Sequence, residues 1–177
     1  HRYGRRQRQM CIRDRVWQDR RTKAYCNQLK SENFESIFTH KTGLLLDPYF
    51  SGTKIKWIFD NHPKLYELTK ENKIAFGTID TWLIWQLTKG KNHITDVTNA
   101  SRTLLYNIHE LKWDSELLDI LSIPENILPK VVSSSEFIGF ANENILGAKI
   151  PITAIAGDQQ ASLSVSYTHL RAHETRI

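Results

Sequence analysis

The sequence predicts an α/β fold, and three observations carry that expectation. Short apolar stretches at Ile74–Phe76, His93–Val97 and Pro151–Ala156 alternate with longer segments of helical period. The last of these runs into Gly157-Asp158-Gln159-Gln160-Ala161, a glycine-acid turn past the carboxyl end of a strand-like run, where open α/β sheets hold ligands. Val16–Leu163, 148 residues, is long enough to bury a core and shows no internal repeat, low-complexity stretch or linker. It reads as one piece of a larger domain.

The two ends stand outside that reading. Residues 1–15 and 164–177 resemble translated sequencing adapter and are set aside. They also carry the charge. The chain is +5 overall; the first tail holds six Arg and one Asp, the second two Arg and one Glu, which leaves Val16–Leu163 at −1. The basic balance is therefore no warrant for a nucleic-acid partner or an anionic membrane. Of the two cysteines, Cys11 lies in the first tail, so Cys26 stands alone and no intrachain disulfide or Cys-based zinc site is expected. That composition fits a reducing compartment, and no apolar run approaches membrane-spanning length.

In chain order, Arg20–Leu29 reads as a helix. Ser31 is placed to cap a second one, with Phe34, Ile37 and Phe38 on one face and Gly43 ending it. Leu44–Leu46 is a short apolar run stopped by the turn signal Asp47-Pro48. Ser51–Asn61 carries Ile55, Ile58 and Phe59 at helical spacing, with Trp57 off that stripe, and His62-Pro63 breaks it. Lys64–Asn72 is polar and helical. After the strand-like Ile74–Phe76, Gly77–Leu87 is apolar on most sides and so reads as a largely buried helix, with Trp82 and Trp85 in the core. Gly90-Lys91-Asn92 turns the chain into the strand His93–Val97, and Thr98–Arg102 follows as a polar connection. Ser115–Leu121 is helical, Pro124 and Pro129 bracket another helical turn, and Val131–Gly147 is mixed.

The chemistry legible from residues alone is limited. Neither common nucleotide-loop fingerprint is present. His62, His93 and His109 lack ligand-like spacing, and His40 stands alone, so structural roles are expected for all four. A carboxylate at Asp158 can accept a proton from a substrate hydroxyl. Taken by itself, the pentapeptide is read first as a helix N-cap and second as a base. Asp47-Pro-Tyr-Phe-Ser-Gly52 fits both the wall of a pocket for a small polyhydroxylated ligand and an ordinary aromatic turn. Trp17-Gln18-Asp19-Arg20-Arg21 is similarly open between a ligand contact and a solvated helix start.

Five stretches in order narrow this. Val16-Trp-Gln-Asp-Arg-Arg-Thr22, Asp47-Pro-Tyr-Phe-Ser-Gly-Thr-Lys54, Gly77-Thr-Ile-Asp-Thr-Trp-Leu-Ile-Trp85, Thr95-Asp-Val-Thr-Asn-Ala-Ser-Arg-Thr103 and Ile155-Ala-Gly-Asp-Gln-Gln-Ala161 together resemble the FGGY carbohydrate kinase family. The second and fourth resemble its glycerol-phosphorylating members rather than its sugar kinases. The resemblance implies two ribonuclease-H-like, actin-type domains, with Val16–Leu163 as part of the amino-terminal, substrate-binding one. It implies a cytoplasmic, homo-oligomeric full-length enzyme that transfers the γ-phosphoryl group of ATP, with Mg2+, to glycerol, giving sn-glycerol 3-phosphate. Asp158 then matches the catalytic base, Gln159 and Tyr49 match hydroxyl contacts, and Trp17 matches an aromatic packed on the glycerol carbons.

The same resemblance puts an amino-terminal phosphate loop, an acidic residue near the metal and an Arg-Glu pair upstream of residue 16. It puts the adenine site and a second phosphate loop beyond Leu163. No nucleotide or metal site is therefore expected within this segment, and the segment alone is expected to be inactive. Two alternatives remain open: a family member acting on another polyol or ketose, and a non-catalytic binding module in which Asp158 only caps a helix.

Overall fold

The computed structural model describes Val16 and residues 18–174, with side chains as far as Ser166. The expected helices are present. Helix α1 (Lys23–Ser31) buries Cys26 and Leu29, and α2 (Glu35–Thr42) buries Phe38 and Thr42. Gly43 ends α2 at φ 70°, a left-handed conformation in which a side chain would be strained. Helix α3 (Ser51–Asn61) has the bounds its spacing predicts. His62 separates it from α4 (Pro63–Lys70), where Pro63 takes the first helical position and its missing N–H costs nothing.

Helix α5 (Ile79–Leu87) leads to β1 (Ile94–Asp96) and a single helical turn, α6 (Val97–Ala100). A small antiparallel pair follows, β2 (Tyr106–Asn107) with β3 (Lys112–Trp113), then α7 (Ser115–Ile120) and a 3-10 turn at Glu125–Ile127. Strand β4 (Lys130–Val132) lies parallel to β1, with Asp96 opposite Val132. A parallel pair needs a crossover, and the segment from α6 to the 3-10 turn supplies it. Strand β5 (Gly139–Phe140), α8 (Glu143–Leu146) and β6 (Pro151–Ile152) follow, with β5 and β6 antiparallel, and α9 (Asp158–Glu174) closes the described chain.

Two apolar clusters hold these elements. The larger gathers Leu29, Phe38, Leu46, Phe59, Leu105 and Leu117 with their neighbours from α1 to the 3-10 turn. The smaller, Ile84, Val132 and Ile155 with Ile94, Ile138 and Ile152 against it, packs α5 on β1 and β4 and carries the approach to Asp158.

Several expectations are corrected. Ser31 is the last residue of α1, not a cap for α2; its hydroxyl donates to the Gln28 carbonyl at 2.7 Å, and Phe34 holds the cap position. Ile74–Phe76 forms no ladder; Phe76 N–H donates to the Ile127 carbonyl at 2.8 Å, a loop contact that needs no strand partner. Only Pro151 and Ile152 of Pro151–Ala156 pair as a strand, and of that run only Ile155 is buried. Thr98–Arg102 is not purely connective, because Asp96 caps a helical turn within it.

The largest correction concerns α5. Only Asp80, Thr81 and Ile84 are buried, while Ile79 is 70 % and Leu83 48 % exposed. Trp82 and Trp85 are likewise exposed rather than core. An apolar composition says that surface favours cover; it does not say that this segment provides the cover.

Candidate functional site

Three turns make up the candidate site, and each is fixed by local chemistry. The first carries Asp158. The chain leaves β6 extended, and Ile155 N–H donates to the Ser134 carbonyl at 2.9 Å. Two residues later, Gly157 N–H donates to the Thr98 hydroxyl at 2.8 Å. Helix α9 then begins, its first bond running from Ala161 N–H to the Gly157 carbonyl. Asp158 and Gln159 both face solvent at that start. The Asp158 carboxylate takes the Gln159 N–H at 2.8 Å. That is the adjacent amide, not the amide two or three residues on that a capping side chain takes.

The second turn carries Tyr49. Asp47 Oδ1 accepts the Tyr49 N–H at 2.8 Å, an Asx turn, and Phe50 N–H closes on the Asp47 carbonyl. The Tyr49 ring meets Phe50 edge-on at 5.0 Å and is itself 37 % exposed. Beneath it, the buried Lys54 ammonium donates to the Tyr49 carbonyl at 2.9 Å and to the Val16 carbonyl at 2.7 Å. Burial pushes the Lys54 pKa down against the opposing pull of Asp19 and Asp47. The Arg20–Asp47 contact at 3.4 Å is exposed on both sides and adds little.

The third turn, Asp96–Thr103, joins the other two. At its start Thr98 receives Gly157. At its end the Thr103 carbonyl accepts Gly52 N–H at 2.8 Å, and the Arg102 guanidinium lies 5.1 Å above the Phe50 ring. A side chain at Gly52 would put its Cβ 2.9 Å from the Thr103 carbonyl oxygen, so this close approach requires glycine. The turn is organised by Asp96, which is fully buried at the end of β1. Its Oδ1 accepts the backbone and side-chain N–H groups of Asn99 at 3.0 and 2.8 Å. Its Oδ2 accepts Thr98 N–H at 3.2 Å, the Thr98 hydroxyl at 2.7 Å and the Ser134 hydroxyl at 2.6 Å. Burial by itself would raise the Asp96 pKa; the bonds from Ser134, Thr98 and Asn99 outweigh it and hold the carboxyl below its ordinary value.

Asp158, Gln159 and Tyr49 thus sit on two turns that share one connector. Trp17, the fourth expected contact, lies outside the described residues. The histidines take structural places: His93 Nε2 lies 2.6 Å from the Phe76 carbonyl oxygen, and His109 Nε2 lies 2.8 Å from that of His40. A groove of about 310 Å3 lined by Lys56, Phe59, Pro63 and Tyr66 lies on α3 and α4, apart from these turns. Among the described residues no group of three or more His, Cys, Asp or Glu is placed to hold a metal ion. Nor is any helix there long and apolar enough to cross a membrane.

Sequence reasoning missed Asp96, Thr98 and Lys54. Asp followed by Thr and Asn two and three residues on is a helix-start pattern that was legible. Lys54 gives no such signal, since a lysine in an amphipathic helix reads as solvated.

Residues 6–164 match the FGGY family of carbohydrate kinases, N-terminal domain. The chain belongs to that family. Among relatives, it is 58 % identical over 148 residues to glycerol kinase of Chromobacterium violaceum, covering 84 % of this chain and 30 % of that protein. It is 60 % identical over 148 residues to glycerol kinase of Halothermothrix orenii, covering 83 % and 30 %. The chain therefore spans about 30 % of the length of the curated relatives it matches. Among solved structures, Plasmodium falciparum glycerol kinase with ADP superposes with a TM-score of 0.78 at 38 % identity, over 82 % of this chain and 29 % of that one. A ligand-bound xylulose kinase from Lactobacillus acidophilus gives 0.67 at 27 % identity, over 78 % and 29 %. The actin-like ATPase fold of the FGGY kinases is thus the fold of this segment, and the predicted α/β class holds.

Proposed function

We propose that Val16–Leu163 is part of the substrate-binding domain of an enzyme that phosphorylates glycerol with ATP to sn-glycerol 3-phosphate. On this reading the tails at 1–15 and 164–177 stand outside that domain, although the family match itself runs from residue 6 to residue 164. The observation that supports it most is the Asp158 turn. An exposed carboxylate at the start of a helix, on a turn anchored through Gly157, occurs in a chain 54–60 % identical to glycerol kinases.

Asp158 acts as the base on this reading. It accepts the proton of a primary hydroxyl as that oxygen attacks phosphorus in line; the new O–P bond forms while the bond to the departing ADP oxygen breaks. Little covalent chemistry falls to the protein, so positioning and electrostatics carry most of the acceleration. Gln159 and Tyr49 bind glycerol hydroxyls, and Trp17 packs on its carbons. ATP is the co-substrate; among the described residues no group of three or more His, Cys, Asp or Glu is placed to hold a metal ion, and no step is assigned to Mg2+. A homo-oligomeric, cytoplasmic enzyme completes the reading.

The deciding experiment is ATP-dependent phosphorylation of glycerol by the complete reading frame, beside its Asp158→Asn variant. Turnover in the first and a loss of several orders of magnitude in a folded second is the expected result. Retained turnover in the variant would leave Asp158 a structural residue. Similarity to a xylulose kinase supports a second reading, another polyol or ketose as acceptor, and a substrate panel on the same enzyme separates the two.

A further inference from the structure

We propose that Asp96 is a positioning residue for Asp158, acting through the hydroxyls of Thr98 and Ser134; this rests on the reading of Asp158 as the base. The geometry converges on one atom. Two backbone N–H groups lead into Asp158, those of Ile155 and Gly157, and each is held by a different residue. Ile155 N–H goes to the Ser134 carbonyl and Gly157 N–H to the Thr98 hydroxyl. Both holders donate their own hydroxyl hydrogen to Asp96 Oδ2, at 2.6 and 2.7 Å. Asp96 in turn is fixed by its place at the end of β1, opposite Val132, and by the two bonds from Asn99 to Oδ1.

The charge of Asp96 gives this arrangement its direction. A hydroxyl rotates freely unless a partner fixes it, and an ionised carboxylate only accepts. The single Thr98 hydroxyl hydrogen is therefore committed to Asp96, which turns an oxygen lone pair toward Gly157 N–H. The buried carboxylate makes Thr98 an acceptor where the turn needs one. In-line transfer is steep in geometry, and a misplacement of about 1 Å costs on the order of 10²-fold in rate.

The test is single-turnover phosphoryl transfer from ATP to glycerol by the full-length enzyme, with variants Thr98→Val, Thr98→Ser and Asp158→Asn measured together. Thr98→Val keeps the shape and removes the acceptor; it is expected to slow transfer by on the order of 10²-fold. Glycerol affinity should change far less, and the thermal midpoint should stay near that of the parent. Thr98→Ser restores the hydroxyl and should recover most of the rate, which a role in packing alone would not produce. Should Thr98→Val fail to fold, Thr98→Ala carries the same comparison at a smaller volume. Transfer at the parental rate in Thr98→Val, with Asp158→Asn dead, overturns the positioning role and leaves the base in place. Equal slowing by Val and Ser also overturns it. An active Asp158→Asn removes the base and this proposal with it.

Discussion

Asp96 and Asp114 are the two buried carboxylates whose surroundings most favour the charged form. In each, burial opposes ionisation and is outweighed. For Asp114 the compensating groups are the Lys41 ammonium at 2.8 Å, the Asn107 amide at 2.8 Å and the Leu117 backbone N–H. Both carboxyls therefore titrate below their ordinary values when folded. A depressed folded pKa means that the unfolded chain binds more protons. The stabilisation is complete above the unfolded carboxyl value of about 4 and is lost as pH falls through the folded values. Thermal midpoints taken between pH 3 and 6 should fall toward acid, and Asp114→Asn should make that dependence shallower. A variant curve parallel to the parent's would show that Asp114 does not contribute to it.

At the scale of elements, α3 does more than bury its apolar stripe. Thr53 shares a hydrogen bond with the Thr22 hydroxyl at 3.1 Å, Gly52 admits the Thr103 carbonyl, and Lys54 ties the carbonyls of Tyr49 and Val16. The first turn of α3 thus fixes where the Tyr49 turn stands. Lys54→Met keeps the apolar stem and removes the donor. It should cost about 1–3 kcal/mol of stability, since hydrogen bonds to charged groups contribute that order. In the full-length enzyme it should raise KM for glycerol more than it lowers kcat, because Tyr49 is a binding group on the proposed reading. Steady-state kinetics decide this; a fall in kcat at constant KM would place Lys54 elsewhere in the mechanism.

For the whole molecule the governing fact is that the chain spans about 30 % of the length of its curated relatives. Helix α5 presents Ile79, Trp82, Leu83 and Trp85 to solvent while one face packs on β1. Among the described residues no group of three or more His, Cys, Asp or Glu is placed to hold a metal ion. On the proposed reading, the 177-residue chain by itself is expected to transfer no phosphate from ATP to glycerol, and the complete reading frame is expected to do so. A coupled ADP-release assay on both proteins checks this, and glycerol-dependent turnover by the short chain would refute it.

The sequence by itself determined the α/β class, the bounds of α3, the stop at Gly43 and the turn at Asp47-Pro48. Those follow from periodicity and from residues with narrow backbone preferences, which act over a few positions. Five motifs in order also determined the family, and with it the candidates Tyr49, Asp158 and Gln159. The tertiary structure decided what local signals cannot carry. It left Ile74–Phe76 without a ladder, because pairing depends on a partner distant in sequence. It exposed most of α5, because burial depends on what packs alongside. It also brought Ser134 to Asp96 across 38 residues, and Gly157 to Thr98, itself bonded to Asp96, across 59. Ser134 and Gly157 are ordinary loop residues in the sequence; the parallel pairing of β1 with β4, which sets Asp96 opposite Val132, carries Ser134 to the buried carboxylate.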